Sequence, residues 1–259
     1  MELIFLTAFI LGSIVGSFLN VVILRYGGSL SGRSHCPHCK RMLTTRDLVP
    51  IFSFLFLKGN CRTCKKKIST QYPLVEVLTG FVFTLIVFHF GFSFEVFSRI
   101  LIHSIIWSIL IVITVYDLRH LIIPDELAFL FALLSLIDVW LSGTSLLPHI
   151  FAGLVFFIPF WALWFFSKGR WMGLGDGKLA IGIGFLLGLN SGISALVLAV
   201  WIGAAVSLLT MFLQKYASKL LPTSASLTMK SEIPLGPFLI LGVALVFFGG
   251  LAVYPPILF

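Results

Sequence analysis

The chain reads as an all-α polytopic membrane protein of about eight transmembrane helices with a small cytoplasmic zinc-ribbon-like loop domain. Three observations predict this. Of its 259 residues, 59% are hydrophobic and only 11% charged, and the mean hydropathy is +1.08. The apolar residues gather in runs close to 20 long, the length an α-helix needs to cross about 30 Å of hydrocarbon. All four cysteines fall in one hydrophilic segment, as two C-x2-C pairs. The runs lack the period-2 alternation of membrane strands, which argues against a closed β-barrel.

Spans are expected at about 2–24, 73–91, 97–116, 124–141, 146–166, 177–190, 192–213 and 235–256. The sixth is short and its boundary with the seventh is weak, so seven spans remain an alternative. Glu2 precedes the first run and Arg25 follows it, the reverse of a signal peptide's basic start. It is expected to be a retained span with its N-terminus outside. Topology follows from the cations. Of the 18 Lys and Arg, all but Arg99 lie on alternate loops: 25–72, the turn at Arg119, the turn with Lys168, Arg170 and Lys178, and the segment with Lys215, Lys219 and Lys230. The positive-inside rule places these loops in the cytoplasm. The net charge of +8 is spread over membrane-proximal loops, so it signals topology rather than nucleic-acid binding.

The organisation expected is a first transmembrane helix (1–24), a four-cysteine loop (25–72) and a transmembrane core (73–259). The loop is too short for an ordinary domain core. Cys36-x2-Cys39 and Cys61-x2-Cys64 are separated by 21 residues, the spacing of a four-thiolate zinc site. Four thiolates fill a tetrahedral shell, so the metal would be structural. The rival, two disulfides, is disfavoured where cytosolic reductants act. His35 and His38 flank the first pair and are expected to face solvent. Residues 47–59 (DLVPIFSFLFLKG) are apolar but too short to span, and would lie on the membrane or pack beneath the helices. Lys65, Lys66 and Lys67 suit lipid headgroups.

An acid beside a span is costly and needs a reason. Asp125 and Glu126 follow Pro124 at a helix start, where negative charge suits the helix dipole. Asp138 reads as interfacial, and Glu76 as facing a polar cavity about one turn inside its span. Asp117 ends the third span, where the dipole disfavours an acid; pairing with Arg119 or His120 does not explain it. Asp176, in G-L-G-D-G, would serve as an N-cap if taken alone. No G-x-S-x-G elbow, H-E-x-x-H pair or G-x-G-x-x-G loop is present. Topology puts Asp117 and Asp176 on one face, and by elimination a carboxylate pair is the best hydrolytic machine in the chain. Two close carboxyls share one proton, so one acts as base on a water while the other acts as acid.

These pieces resemble the type IV prepilin peptidases, which are polytopic aspartyl proteases. GSFLNVVILR (16–25), the two cysteine pairs, YPLVEVLTG, DLRHLIIPDEL, GLGDGKLAIGIGFLLG and IPLGPFL (233–239) match that family's motifs in order. The departures are Tyr-Gly-Gly after Arg25, where a proline is usual, and Leu235 in place of a Phe. The resemblance implies that Asp117 and Asp176 are the catalytic pair. It also implies that the substrates are prepilin or pseudopilin precursor helices with a short basic leader ending in Gly, cut at the cytoplasmic face of the bacterial inner membrane. Many members then methylate the new N-terminus from S-adenosylmethionine, an activity tied to the cysteine loop. A proton- or cation-handling transporter, or a non-catalytic pilus assembly factor, are the alternatives.

Overall fold

A computed structural model describes residues 2–217 and 234–253. Lys219, Lys230, Ile233 and the far end of the expected last span lie outside the described residues. These residues form eight α-helices: α1 (Glu2–Arg25), α2 (Phe52–Phe56), α3 (Gln71–Phe90), α4 (Phe97–His120), α5 (Asp125–Leu141), α6 (Leu146–Ser167), α7 (Leu174–Ala217) and α8 (Gly236–Gly249). Five helices are long and apolar enough to cross a membrane: α1, α3, α4, α6 and the 174–213 part of α7. The chain divides into two compact units, Met1–Val112 and Ile113–Phe259.

In the first unit α1 and α3 pack antiparallel, and glycines decide how closely. A Cβ at Gly12 would lie 2.7 Å from the Thr79 carbonyl, and one at Gly16 would lie 2.8 Å from the Glu76 Cα. Small residues four apart let two membrane helices touch through their backbones. Asn20, 1% exposed, fixes the register by donating to the carbonyls of Gly16 and Tyr72, at 3.2 Å each. The Gln71 side chain completes the contact by donating to Asn20 Oδ1 at 3.3 Å.

Between these helices lies the loop. Residues 47–59 contain only the five-residue α2, which follows a tight turn at Ile51. Ile51 has φ 63 and ψ −54, and the Phe52 N–H donates to the Pro50 carbonyl at 2.5 Å. This is a γ-turn of the rare positive-φ kind, strained for a β-branched residue. Such conformations cost of order 1–3 kcal/mol and persist only where the surroundings hold them. The holder is Glu76, 7% exposed, whose Oε2 accepts the Ile51 N–H at 2.7 Å. This amide is the recorded partner of Glu76, where the sequence suggested a polar cavity.

In the second unit α7 packs on α5, α6 and α8. Its 44 residues would make a rod of about 66 Å, but Gly188 breaks it with φ 70 and ψ −171. Gly184 lies against the Gly153 backbone and Gly188 against His149, yet Gly192 is back against Phe156. Leu189, Ile193 and Leu196 pack on the core of Ala152, Phe156 and Ala180. The chain therefore doubles back at Gly188, and the expected spans 177–190 and 192–213 are the two arms. The second arm runs antiparallel to α8, with Gly203 beside Phe238 and Gly242 against Ala195. α8 stops at Gly249, shorter than the expected 235–256, because Gly250 takes φ 61 and caps it. Asp138 is buried, at 4% exposure.

Candidate active site

Asp117 sits in the last turn of α4 and is 4% exposed. Its Oδ2 accepts the backbone N–H of Gly236 at 3.1 Å. Gly236 opens α8, so the carboxylate lies at the positive end of another helix's dipole, worth roughly 0.3–1 kcal/mol or more when partly buried. This answers the objection that an acid is misplaced at its own helix's C-terminus. His120, one of the partners considered for Asp117, instead stacks on Tyr116 at 4.3 Å.

Asp176 is the third residue of α7. The helix begins at Leu174, so Asp176 lies within the first turn rather than at the N-cap, and half-buried. Ile123 joins the two sites. A Cβ at Gly175 would lie 3.0 Å from the Ile123 Cβ, and one at Gly236 would lie 3.4 Å from its Cδ1. Both helix starts thus close on one side chain, 6% exposed, from the 121–124 linker. A Cβ at Gly236 would stand 2.6 Å from Asp117 Oδ2, so any side chain there would displace the carboxylate from its present position. Lys178 and Asp125 pair at 2.6 Å, tying the first turns of α7 and α5. Asp125 and Glu126 are exposed in the first turn of α5, as a dipole role requires.

Gly236 is the residue that sequence reasoning missed. Its signal was the G-P pair in IPLGPFL: proline belongs in a first helical turn, so a free helix start was foreseeable there.

The four cysteines come together in the first unit. Each pair is a knuckle of the same design, offset by 25 residues. In the first, Cys36 N–H donates to the Arg41 carbonyl and Lys40 N–H to the Cys36 carbonyl; in the second, Cys61 to Lys66 and Lys65 to Cys61. Lys40 and Lys65 carry matching φ of 59 and 58, and the bridges His35–Met42 and Asn60–Lys67 close both. The four Sγ atoms lie within 4.8 Å of one another, with Cys36–Cys64 at 3.9 Å and Cys39–Cys61 at 4.0 Å. Tetrahedral Zn–S bonds of 2.3 Å require S···S separations of about 3.8 Å, so the cluster fits a metal. Backbone N–H groups of Cys64 and Thr63 hold the Cys61 thiol down to about 6, giving the thiolate that metals bind. His35 and His38 are exposed. Asp47 spans the knuckles, pairing with Arg62 at 2.9 Å and lying 4.0 Å from Arg41.

The comparisons with known proteins match these two regions separately. Residues 10–90 match the Bacterial Peptidase A24 N-terminal domain, and residues 104–208 the Type IV leader peptidase family. A prepilin leader peptidase/N-methyltransferase of Bacillus subtilis is 36% identical over 76% of this chain and 79% of that protein. The chain belongs to the type IV leader peptidase family. A second such relative, from Pectobacterium carotovorum, is 32% identical over 80% of this chain and 83% of its own length. The type 4 prepilin-like proteins leader peptide-processing enzyme of Escherichia coli is 36% identical over 68% and 71%. No solved structure matches the chain. Membership makes the protein a multi-pass peptidase of a bacterial family and fits the all-helical fold with its cysteine cluster.

Proposed function

We propose that this leader peptidase cleaves type IV prepilins and pseudopilins after the Gly of a short basic leader, with Asp117 and Asp176 as the catalytic pair. The observation that supports the pair is its construction: a buried carboxylate held by the first N–H of α8 and an acid in the first turn of α7, with Ile123 set against both helix starts. One carboxylate draws a proton from a water between them. That water adds to the scissile carbonyl as the other carboxyl protonates its oxygen. The tetrahedral intermediate then collapses, the C–N bond breaking as the first carboxyl passes its proton to the leaving amine and the second recovers one from the hydroxyl, and no acyl-enzyme forms. The Gly236 N–H keeps Asp117 oriented through both steps.

The division of labour follows the sequence: a first helix (1–24), a zinc loop (25–72) tied to methylation, and a peptidase core (73–259). Cys36, Cys39, Cys61 and Cys64 hold a structural zinc, and S-adenosylmethionine supplies the methyl group for the new N-terminus. The enzyme lies in the inner membrane with the loop and aspartates facing the cytoplasm. Eight crossings are counted by taking the arms of α7 singly and leaving out α2.

A precursor peptide incubated with the enzyme and labelled methyl donor, read by mass spectrometry, reports cleavage and methylation as separate mass changes. Asp117→Asn and Asp176→Asn should each abolish the cleavage product. Substantial turnover by either variant sinks the dyad.

A further inference from the structure

We infer that residues 48–56 are a lipid-inserted segment: Phe52, Leu55 and Phe56 enter the boundary between headgroups and acyl chains, and Glu76 holds them at that depth. The inference rests on α1 and α3 being membrane spans.

Phe52, Leu55 and Phe56, at i, i+3 and i+4, share one face of α2. They are 60%, 63% and 84% exposed, and Leu48 and Val49 just before them are 42% and 44% exposed. The opposite side is engaged, since the Phe54 ring packs over Gly59, 3.1 Å from where a Cβ there would stand, and the Ile51 amide is bound to Glu76. The segment thus presents a contiguous apolar surface of the kind that marks an interaction site.

The register of the first unit sets its depth. Gly16 faces Glu76 across the α1–α3 contact. Arg25 is nine residues further along α1, roughly 13 Å at 1.5 Å per residue. Its guanidinium is spent on the carbonyls of Leu30, Ser31, Gly32 and Arg33, which marks the water-side end. A helical side chain leans toward its own N-terminus, so the Glu76 carboxylate reaches a few ångströms back toward that end. The Ile51 amide therefore sits about 10 Å below the Arg25 level, the depth at which interfacial helices lie. The α3 surface at this level is apolar as well, with Leu74, Val77 and Leu78 exposed.

The charges agree. Asp47 is the only acid between residues 25 and 72, and it is taken up by Arg62 and Arg41. Lys58, Lys65, Lys66 and Lys67 are exposed and leave the loop basic, as an anionic leaflet favours. The occupant of the surface is lipid, not a second copy of the chain.

The test places the photo-cross-linker benzoylphenylalanine at Phe56, and separately at Ser31, in the full chain. The protein is reconstituted in phosphatidylethanolamine–phosphatidylglycerol vesicles carrying alkyne-tagged acyl chains. Illumination should give a lipid adduct at position 56 and none at 31. A protein cross-link in place of the lipid adduct at 56, or equal lipid labelling at 31, overturns the inference. Glu76→Leu should lose the adduct at 56, whereas Glu76→Gln, which keeps a carbonyl acceptor, should retain it. Ile51→Pro removes the same bond from the donor side and, since proline cannot take the positive φ of Ile51, also undoes the turn that the bond holds, so it should reproduce Glu76→Leu even if that variant misfolds. Adducts unchanged in Ile51→Pro refute the role of Glu76.

Discussion

In the cysteine loop each knuckle is eight contiguous residues, whereas Asp117 and Asp176 stand 59 positions apart and rely on a third segment at Gly236, another 60 positions on. The knuckle's geometry is local: its turn, its positive φ and its backbone hydrogen bonds are all supplied within 35–42, and again within 60–67. The aspartate site has no such self-sufficiency. It exists only where the ends of α4, α7 and α8 are held by Ile123 and two glycines. The difference teaches that one site should fail through loss of a bound ion, and the other through small displacements of backbone.

Metal removal should have the largest effect, confined to the loop. Binding energy in small zinc modules is on the order of 10 kcal/mol of folding free energy. Chelation, or Cys36→Ser, should expose residues 36–64 to limited proteolysis while prepilin cleavage persists; a simultaneous loss of cleavage would dissolve the contrast between the sites. Next come the Asp→Asn variants, expected to lose roughly 10²–10⁴-fold in kcat. Gly236→Ala should follow. Its methyl group would need the space of Asp117 Oδ2, and a misplacement near 1 Å costs about 10²-fold. The loss should fall on kcat with KM little changed, in a steady-state peptide assay.

Smaller effects probe the supports. Burial pushes the Asp47 carboxyl up, but the Thr44 hydroxyl and N–H and the Arg62 guanidinium outweigh it and hold it below its ordinary value. Because the folded form is the more acidic, Asp47 stabilises the loop above the ordinary value of 3.8, and this is lost as pH falls below it. Asp47→Asn should cost about 1–3 kcal/mol, read as weaker zinc retention at neutral pH, with a shallower acid limb of the retention curve. Lys178→Met should matter least. Its partner Asp125 is well exposed, and such pairs are worth about 0–1 kcal/mol, seen as a small fall in Tm with cleavage preserved.

The two regions also differ in what could be read from sequence. The cysteine pattern carried its whole geometry in its spacing. Asp117 and Asp176 could be put forward as a pair from the sequence, but neither the N–H that holds Asp117 nor the place of Ile123 between the helix starts could be, since both depend on contacts across more than 50 positions. Helix bounds were legible where a proline marks a start, as Pro124 does for α5. They slipped where one residue's torsion decided the matter: Gly250 ended α8 early, and the reversal expected near residue 191 lies at Gly188. α2 was visible as an apolar stretch too short to span, while the strained turn that aims it was not, because nothing in Pro-Ile-Phe announces a positive φ.

Gly188 carries a further consequence. Its φ of 70 and ψ of −171 belong to a region that is essentially glycine's alone. A side chain there would favour straightening α7 into its full 66 Å, about twice the hydrocarbon thickness. On the proposed topology of eight crossings, everything after it would then emerge on the opposite side of the membrane. Gly236 would be delivered to the opposite leaflet from Asp117, and the carboxylate would lose its helix end. On that topology the parity of membrane crossings, and with it the side on which the proposed pair meets Gly236, hangs on the torsion of one residue.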